Sequence, residues 1–126
     1  MRIILADDRP RVRAALRLLL EQEPGNMIVA EAADATGLFL ALQSQVADLL
    51  LLDWELPGMP ASSLLPLIRS RQPLMRILAL SGRPEARAEA RAHRVDSFVS
   101  KGDPPENVLD AVRACARSRE EGEKPS

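Results

Sequence analysis

The sequence predicts a doubly wound α/β domain, a five-stranded parallel sheet with helices on both faces. Three observations point there. Five short apolar runs, Ile3–Ala6, Met27–Ala30, Leu49–Leu52, Ile77–Leu80 and Phe98-Val99, alternate with helix-length segments. The runs are apolar at successive positions, which suits strands buried on both faces. The strict strand–helix order then favours a parallel sheet, and right-handed crossovers distribute the helices over its two sides.

The connecting segments read as helices in turn. Residues 9–21 place Val12, Ala15, Leu16 and Leu19 at helical spacing, with Pro10 tolerable in a first turn. Residues 34–43 form the second helix, with Leu38, Ala41 and Leu42 inward. The third follows Pro57-Gly58-Met59-Pro60, and Pro66 fits if Ser62 or Ser63 caps a first turn containing it. Residues 83–94 form a fourth helix with little apolar content beyond Ala86 and Ala90. The fifth opens at Asp103-Pro104-Pro105-Glu106, a D-x-x-E capping box, and continues through Val108, Leu109 and Val112. We expect one domain over residues 1–117 and a polar tail over 118–126.

Composition excludes several classes. With 126 residues and 46% hydrophobic content the chain can bury a true core, and no apolar run approaches the ~20 residues that span a bilayer. The opening apolar stretch runs directly into Asp7-Asp8, unlike a secretory signal, so a cytoplasmic protein is expected. The lone Cys115 cannot form an internal disulfide, and no Cys/His cluster suggests zinc. A formal net charge of −1 argues against bulk electrostatic binding to nucleic acid. Of the seventeen basic residues only Lys101 and Lys124 are lysines, so an ammonium retained at position 101 is informative.

In doubly wound sheets the functional crevice lies beyond the carboxyl ends of the strands. Strand one ends in Asp7-Asp8, strand three in Asp53-Trp54-Glu55, strand four in Ser81-Gly82 and strand five in Ser100-Lys101. Each alone has a plain structural reading as a cap, a turn residue or a solvated charge. Together they deliver carboxylates, a hydroxyl and an amine to one rim. Two carboxylates about 4 Å apart repel by roughly 4 kcal/mol at an effective dielectric near 20, so three need a cation or must take up protons. An all-oxygen set suits Mg²⁺, and a hard cation beside a carboxylate, an amine and a hydroxyl is apparatus for phosphoryl transfer.

Asp7-Asp8, Asp53 within LLLLDWELPGMP, Ser81-Gly82, Phe98 and Lys101 resemble the response-regulator receiver domain of two-component signalling. The resemblance covers nearly the whole chain and is nearest to receivers that precede a LuxR-type helix-turn-helix. It implies a flavodoxin-like sheet in strand order 2-1-3-4-5. It also implies that Asp53 accepts a phosphoryl group, in a phosphorelay, from a sensor histidine kinase or phosphotransfer protein. By the same resemblance Asp7, Asp8, Asp53 and the Glu55 backbone carbonyl hold Mg²⁺, Lys101 pairs with the phosphoryl group, and Ser81 moves to hydrogen-bond it. Phe98 takes the place of the switch aromatic. The output surface expected is the fourth helix, fifth strand and fifth helix, open to a homodimer, with no nucleic acid or membrane bound by the domain itself.

The chain departs from the family pattern in three places. Gly102 follows Lys101 where proline is usual, His93-Arg94-Val95 replaces a small-residue turn, and Pro60-Ala61 replaces an Asp-Gly pair. Trp54, Glu55 and Arg83 are expected at the rim, with Glu55 and Arg83 pairing across the mouth. Arg83, Arg87, Arg91 and Arg94 form a basic stripe on the fourth helix. The alternatives are an aspartate-nucleophile, Mg²⁺-dependent phosphohydrolase and a receiver fragment of a DNA-binding regulator. The Leu56-Pro57 that follows Glu55 does not fit the hydrolase pattern.

Overall fold

Alternation of side chains along the strands settles the architecture. Ile3, Leu5, Leu49, Leu51, Leu78, Leu80 and Val99 face one side of the sheet, while Ile4, Ala6, Leu50, Leu52, Ile77 and Ala79 face the other. The computed structural model describes the backbone of residues 1–123 and the side chains of residues 1–117. The elements run β1 (Arg2–Ala6), α1 (Pro10–Glu21), β2 (Met27–Ala32), α2 (Ala35–Ser44), β3 (Leu49–Asp53), α3 (Ala61–Arg71), β4 (Arg76–Ser81), α4 (Ala86–Ala92), β5 (Ser97–Ser100) and α5 (Pro105–Glu123). All strand pairs are parallel, in the order β2-β1-β3-β4-β5. The expected fold and strand order are therefore present.

Three helices close one face and two the other. On the first, Leu38 and Leu42 of α2, Leu64, Leu65 and Ile68 of α3, and Ala86 and Ala90 of α4 cover β1, β3 and β4. On the second, Leu16 and Leu20 of α1 pack with Val108, Val112 and Cys115 of α5. Each fully buried leucine or isoleucine contributes about 1.5–3 kcal/mol, whereas alanines contribute far less. So α3 is strongly seated and α4 weakly.

Helix starts depart from expectation at three places. Helix α3 begins at Ala61 behind Pro60, and neither Ser62 nor Ser63 caps it. Pro66 is the sixth residue of that helix, and it is exposed, so the bond it cannot donate to Ser62 is lost on the solvent side. Helix α4 is shorter than 83–94, because residues 83–85 are spent on turns that connect Ser81 to Ala86. The capping box at Asp103 does not form: α5 begins at Pro105, and neither the Asp103 nor the Glu106 carboxylate makes a capping hydrogen bond. Asp34, by contrast, caps α2 by accepting from the Gly37 N–H at 2.7 Å. The tail expected over 118–126 lies outside the residues whose side chains are described.

Two backbone positions have left-handed φ values that bear on the site. Gly58, φ +107°, lies in the loop after β3, and a Cβ there would meet the Ala35 Cβ at 3.0 Å, so glycine lets this loop close onto α2. Arg94, φ +61°, ends α4 where glycine is usual. Val95 N–H donates to the Ala90 carbonyl at 3.3 Å and Arg94 N–H to that of Arg91 at 3.0 Å, which is a Schellman closure. Arg69 of α3 donates to the carbonyls of His93 and Arg94 and holds that closure in place.

Candidate functional site

The parallel register brings four strand ends to one rim. Asp7 follows β1, and its N–H donates to the Ala32 carbonyl at 3.0 Å. Asp53 ends β3, the Trp54 N–H continues that strand by donating to Leu80 at 2.8 Å, and the Lys101 N–H donates to the Ser81 carbonyl at 2.9 Å. These backbone bonds fix the side chains to the sheet rather than to loose loops.

Asp7 and Asp53 are almost fully buried, and the exposed Asp8 stands beside them. One carboxylate oxygen from each lies within 4.8 Å of the others. The Asp7 Oδ1 accepts the Arg9 N–H at 2.9 Å, and the Asp53 Oδ1 accepts the Glu55 N–H at 2.9 Å. The remaining oxygens face Lys101, whose Nζ is 2.7 Å from Asp7 Oδ2 and 3.4 Å from Asp53 Oδ2. Among the described residues Lys101 alone meets this buried Asp7 oxygen. Two buried carboxylates thus share one ammonium with the exposed Asp8 beside them, and a set of oxygen donors of this kind fits a hard divalent cation such as Mg²⁺.

The charges shift accordingly. Burial raises the Asp53 pKa, the Glu55 N–H and Lys101 oppose the rise, and Asp7 adds to it. Burial alone would lower the Lys101 pKa, but the neighbouring Asp7 and Asp53 carboxylates outweigh burial and raise it. The ammonium therefore stays charged.

Beside this pocket lies a second hydrogen-bonded group. Ser81 Oγ donates to Glu55 Oε1 at 2.7 Å and accepts the Arg83 N–H at 3.0 Å. Glu55 Oε2 is 3.4 Å from Arg83 Nη2, so the expected pair across the mouth is present. Arg83 also lies 3.5 Å from Glu89 of α4, and that carboxylate accepts the Trp54 Nε1–H at 2.8 Å. Phe98 is half-buried on β5 and packs against the core cluster that includes Trp54, Ala86 and Ala90, while the Arg87 guanidinium stacks 4.8 Å above its ring. Sequence reasoning missed Glu89. A buried indole N–H requires an acceptor, and that requirement was the signal available. Among the described residues no helix is long and apolar enough to cross a membrane.

Fold and pocket define the class: a doubly wound α/β domain whose carboxyl rim carries a carboxylate cluster bridged by a lysine. Within that class the chain belongs to the response regulator receiver domain family of two-component signalling, whose family profile matches residues 3–113. Its relatives include the Fimbriae Z protein of Salmonella typhimurium, 34% identical over 88% of this chain and 54% of that protein. The nitrate/nitrite response regulator protein NarP of Escherichia coli is also 34% identical, over 91% of this chain and 54% of its own length. The chain thus spans about half the length of these curated relatives. Among solved structures, the isolated REC domain of RcsB from Salmonella enterica serovar Typhimurium, in the presence of phosphomimetic BeF₃⁻, superposes with a TM-score of 0.86 at 27% identity, covering 93% of this chain and 88% of that one. A LuxR-family two-component response regulator from Aurantimonas sp. gives 0.85 at 31% identity, covering 94% and 86%.

Proposed function

We propose that the chain is a phosphoacceptor: Asp53 takes a phosphoryl group from a phosphohistidine on a sensor kinase or phosphotransfer protein, and the altered α4-β5-α5 surface reports it. The observation that carries this reading is the sharing of Lys101 between buried Asp7 and Asp53. An Asp53 oxygen forms the new bond to phosphorus as the phosphorus–nitrogen bond breaks. In this reading the Lys101 ammonium neutralises the phosphoryl oxygens, and the Ser81 hydroxyl turns to donate to one. Asp7, Asp8, Asp53 and the Glu55 carbonyl would hold Mg²⁺, which when bound supplies further charge neutralisation at those oxygens.

The pair Glu55 and Arg83 stands at the mouth, where it hinders the approach of water and prolongs the phosphorylated state. The exposed Arg87 and Arg91 on α4 fit an acidic partner or a second copy of the chain. One solved neighbour of this fold is described as RcsB dimers bound to two parallel DNAs. For this chain, dimerisation through α4-β5-α5 is proposed, and DNA contact is assigned to no part of the domain.

The test is phosphorylation by acetyl phosphate with Mg²⁺ or with EDTA, read by intact mass. One phosphoryl group should be gained with Mg²⁺ and none in Asp53→Asn. Equal uptake by that variant refutes the assignment, and sustained turnover of small phosphate esters would make the protein a hydrolase instead.

A further inference from the structure

We propose that Glu55 is the positioning residue for the Ser81 hydroxyl: it holds that hydroxyl out of the phosphoryl site in the resting protein and, through Arg83 and Glu89, ties its orientation to the Trp54 indole and the seat of α4. This rests on the phosphoacceptor reading above and assigns a residue to its readout.

A hydroxyl has one proton. Ser81 is fully buried, and its proton is committed to Glu55 Oε1 at 2.7 Å. Its oxygen already accepts the Arg83 N–H. Ser81 therefore cannot donate to a phosphoryl oxygen on Asp53 without leaving Glu55. The other oxygen of Glu55 faces Arg83 Nη2, and Glu89 Oε2 accepts from that same nitrogen at 3.5 Å and from the Trp54 indole at 2.8 Å.

Trp54 and Glu55 directly follow Asp53, so the contacts close a ring that begins and ends at the phosphoacceptor. The Arg83 pairs are exposed and individually weak. The two buried ends carry the ring: a hydroxyl with no exposed surface and an indole only 6% exposed. The hydrogen bond from Trp54, assisted by the charge of Arg83, lowers the Glu89 pKa against the opposing effect of burial, so the acceptor stays ionised. Since α4 buries only Ala86 and Ala90, the Glu89 bond is a substantial part of its hold on the sheet. When Ser81 departs, Glu55 is left with Arg83 alone and competes with Glu89 for it, which loosens the anchor of Trp54 and α4.

Beryllofluoride affinity in Mg²⁺, measured calorimetrically, tests this, with Trp54 emission as the second readout. Glu55→Ala should bind about tenfold more tightly, because a charged acceptor no longer competes for the Ser81 proton. Glu55→Gln should fall between that variant and wild type, since an amide oxygen still accepts. In a Ser81→Ala background Glu55→Ala should change nothing further. Glu89→Ala should abolish the emission change that beryllofluoride causes at Trp54. If wild type binds beryllofluoride and Glu55→Ala binds it equally well, the positioning role is refuted while the phosphoacceptor reading stands. An equal gain with and without Ser81 refutes it also, by showing a bulk charge effect. If wild type binds no beryllofluoride, both fall together.

Discussion

Replacing Asp53 with asparagine should stabilise the metal-free protein, and the structure allows the balance to be worked. Carboxylate oxygens of Asp7, Asp8 and Asp53 lie within 4.8 Å of one another. At that distance and an effective dielectric near 20, Asp7 repels Asp53 by about 3.5 kcal/mol, and the exposed Asp8, nearer the water limit, by about 1 kcal/mol. Lys101 at 3.4 Å attracts Asp53 by about 5 kcal/mol on the same scale. These terms nearly cancel. What remains is the dehydration of a carboxylate that is 3% exposed, several kcal/mol in effect, offset by about 1.5–3 kcal/mol from the Glu55 N–H. Asparagine keeps an oxygen for that N–H and has no charge to dehydrate.

We therefore expect Asp53→Asn to be more stable by about 1–2 kcal/mol in EDTA at pH 7.5, a rise of roughly 4–8 °C in Tm for a domain of this size. The pH dependence has a definite sign. A carboxyl whose folded pKa is raised binds its proton more tightly when folded, so its contribution is present below the unfolded value near 4 and lost as pH rises through the folded one. The gap between variant and wild type should accordingly close on acidification toward pH 4. Mg²⁺ should reverse the order, since at a hundred times its Kd a ligand adds about 2.7 kcal/mol to the form that binds it. Urea denaturation at several pH values measures all three effects. A variant that is less stable than wild type in EDTA at neutral pH would show that Lys101 outweighs burial and would refute the reasoning.

Three further outcomes follow from the same geometry. Arg94→Gly should stabilise the fold by about 1 kcal/mol, because it removes a left-handed non-glycine residue from the α4 closure, as thermal denaturation will show. Glu55→Ala and Arg83→Ala should each shorten the life of phosphorylated Asp53 by severalfold in a decay assay, and unchanged rates would mean that the pair does not gate water. Beryllofluoride should alter amide exchange most over residues 84–101. Changes confined to the neighbourhood of Asp53 would place the output surface elsewhere.

The strands and the reactive rim were legible in the sequence because both depend on local pattern. A run such as Leu49–Leu52 has few alternatives to a doubly covered strand, and the residue that follows it must emerge at the carboxyl rim. Asp7, Asp53, Ser81 and Lys101 were found in this way. Helix ends were less legible: α3 tolerates Pro66 because its lost bond faces water, a fact that depends on which side of the helix is covered. The Asp103 box was misread because two consecutive prolines satisfy the start of α5 without a side-chain cap. Links that tie α4 to other elements, such as Arg69 to the carbonyls of His93 and Arg94 or Glu89 to Trp54, have no local signature, since any of several arginines or glutamates could have filled those places.

The contrast between the site and its proposed reporter, α4, lies in what holds each. Asp7 and Asp53 are carried by strands whose neighbours Leu5, Leu51 and Leu52 are almost wholly buried, and truncating such a leucine to alanine costs about 2–5 kcal/mol. A packed apolar seat of that kind has one arrangement, because any displacement opens a cavity. Helix α4 is held otherwise. Alanines at 86 and 90 touch the core, and its further ties include the Glu89–Trp54 bond, the Arg83 pairs, the stacking of Arg87 on Phe98 and the carbonyls held by Arg69. Polar groups near the surface can exchange partners with one another or with water for about 1 kcal/mol each. That contrast supports the proposed readout, in which α4 exchanges such bonds when Asp53 is phosphorylated and the sheet that presents the aspartate stays in place. The alanine-only burial of α4 and its polar ties are thus one feature, and of the expected arginine stripe only Arg87 and Arg91 lie on the helix: a helix that gained leucines at 86 and 90 would be better anchored and, on the proposed reading, would report less.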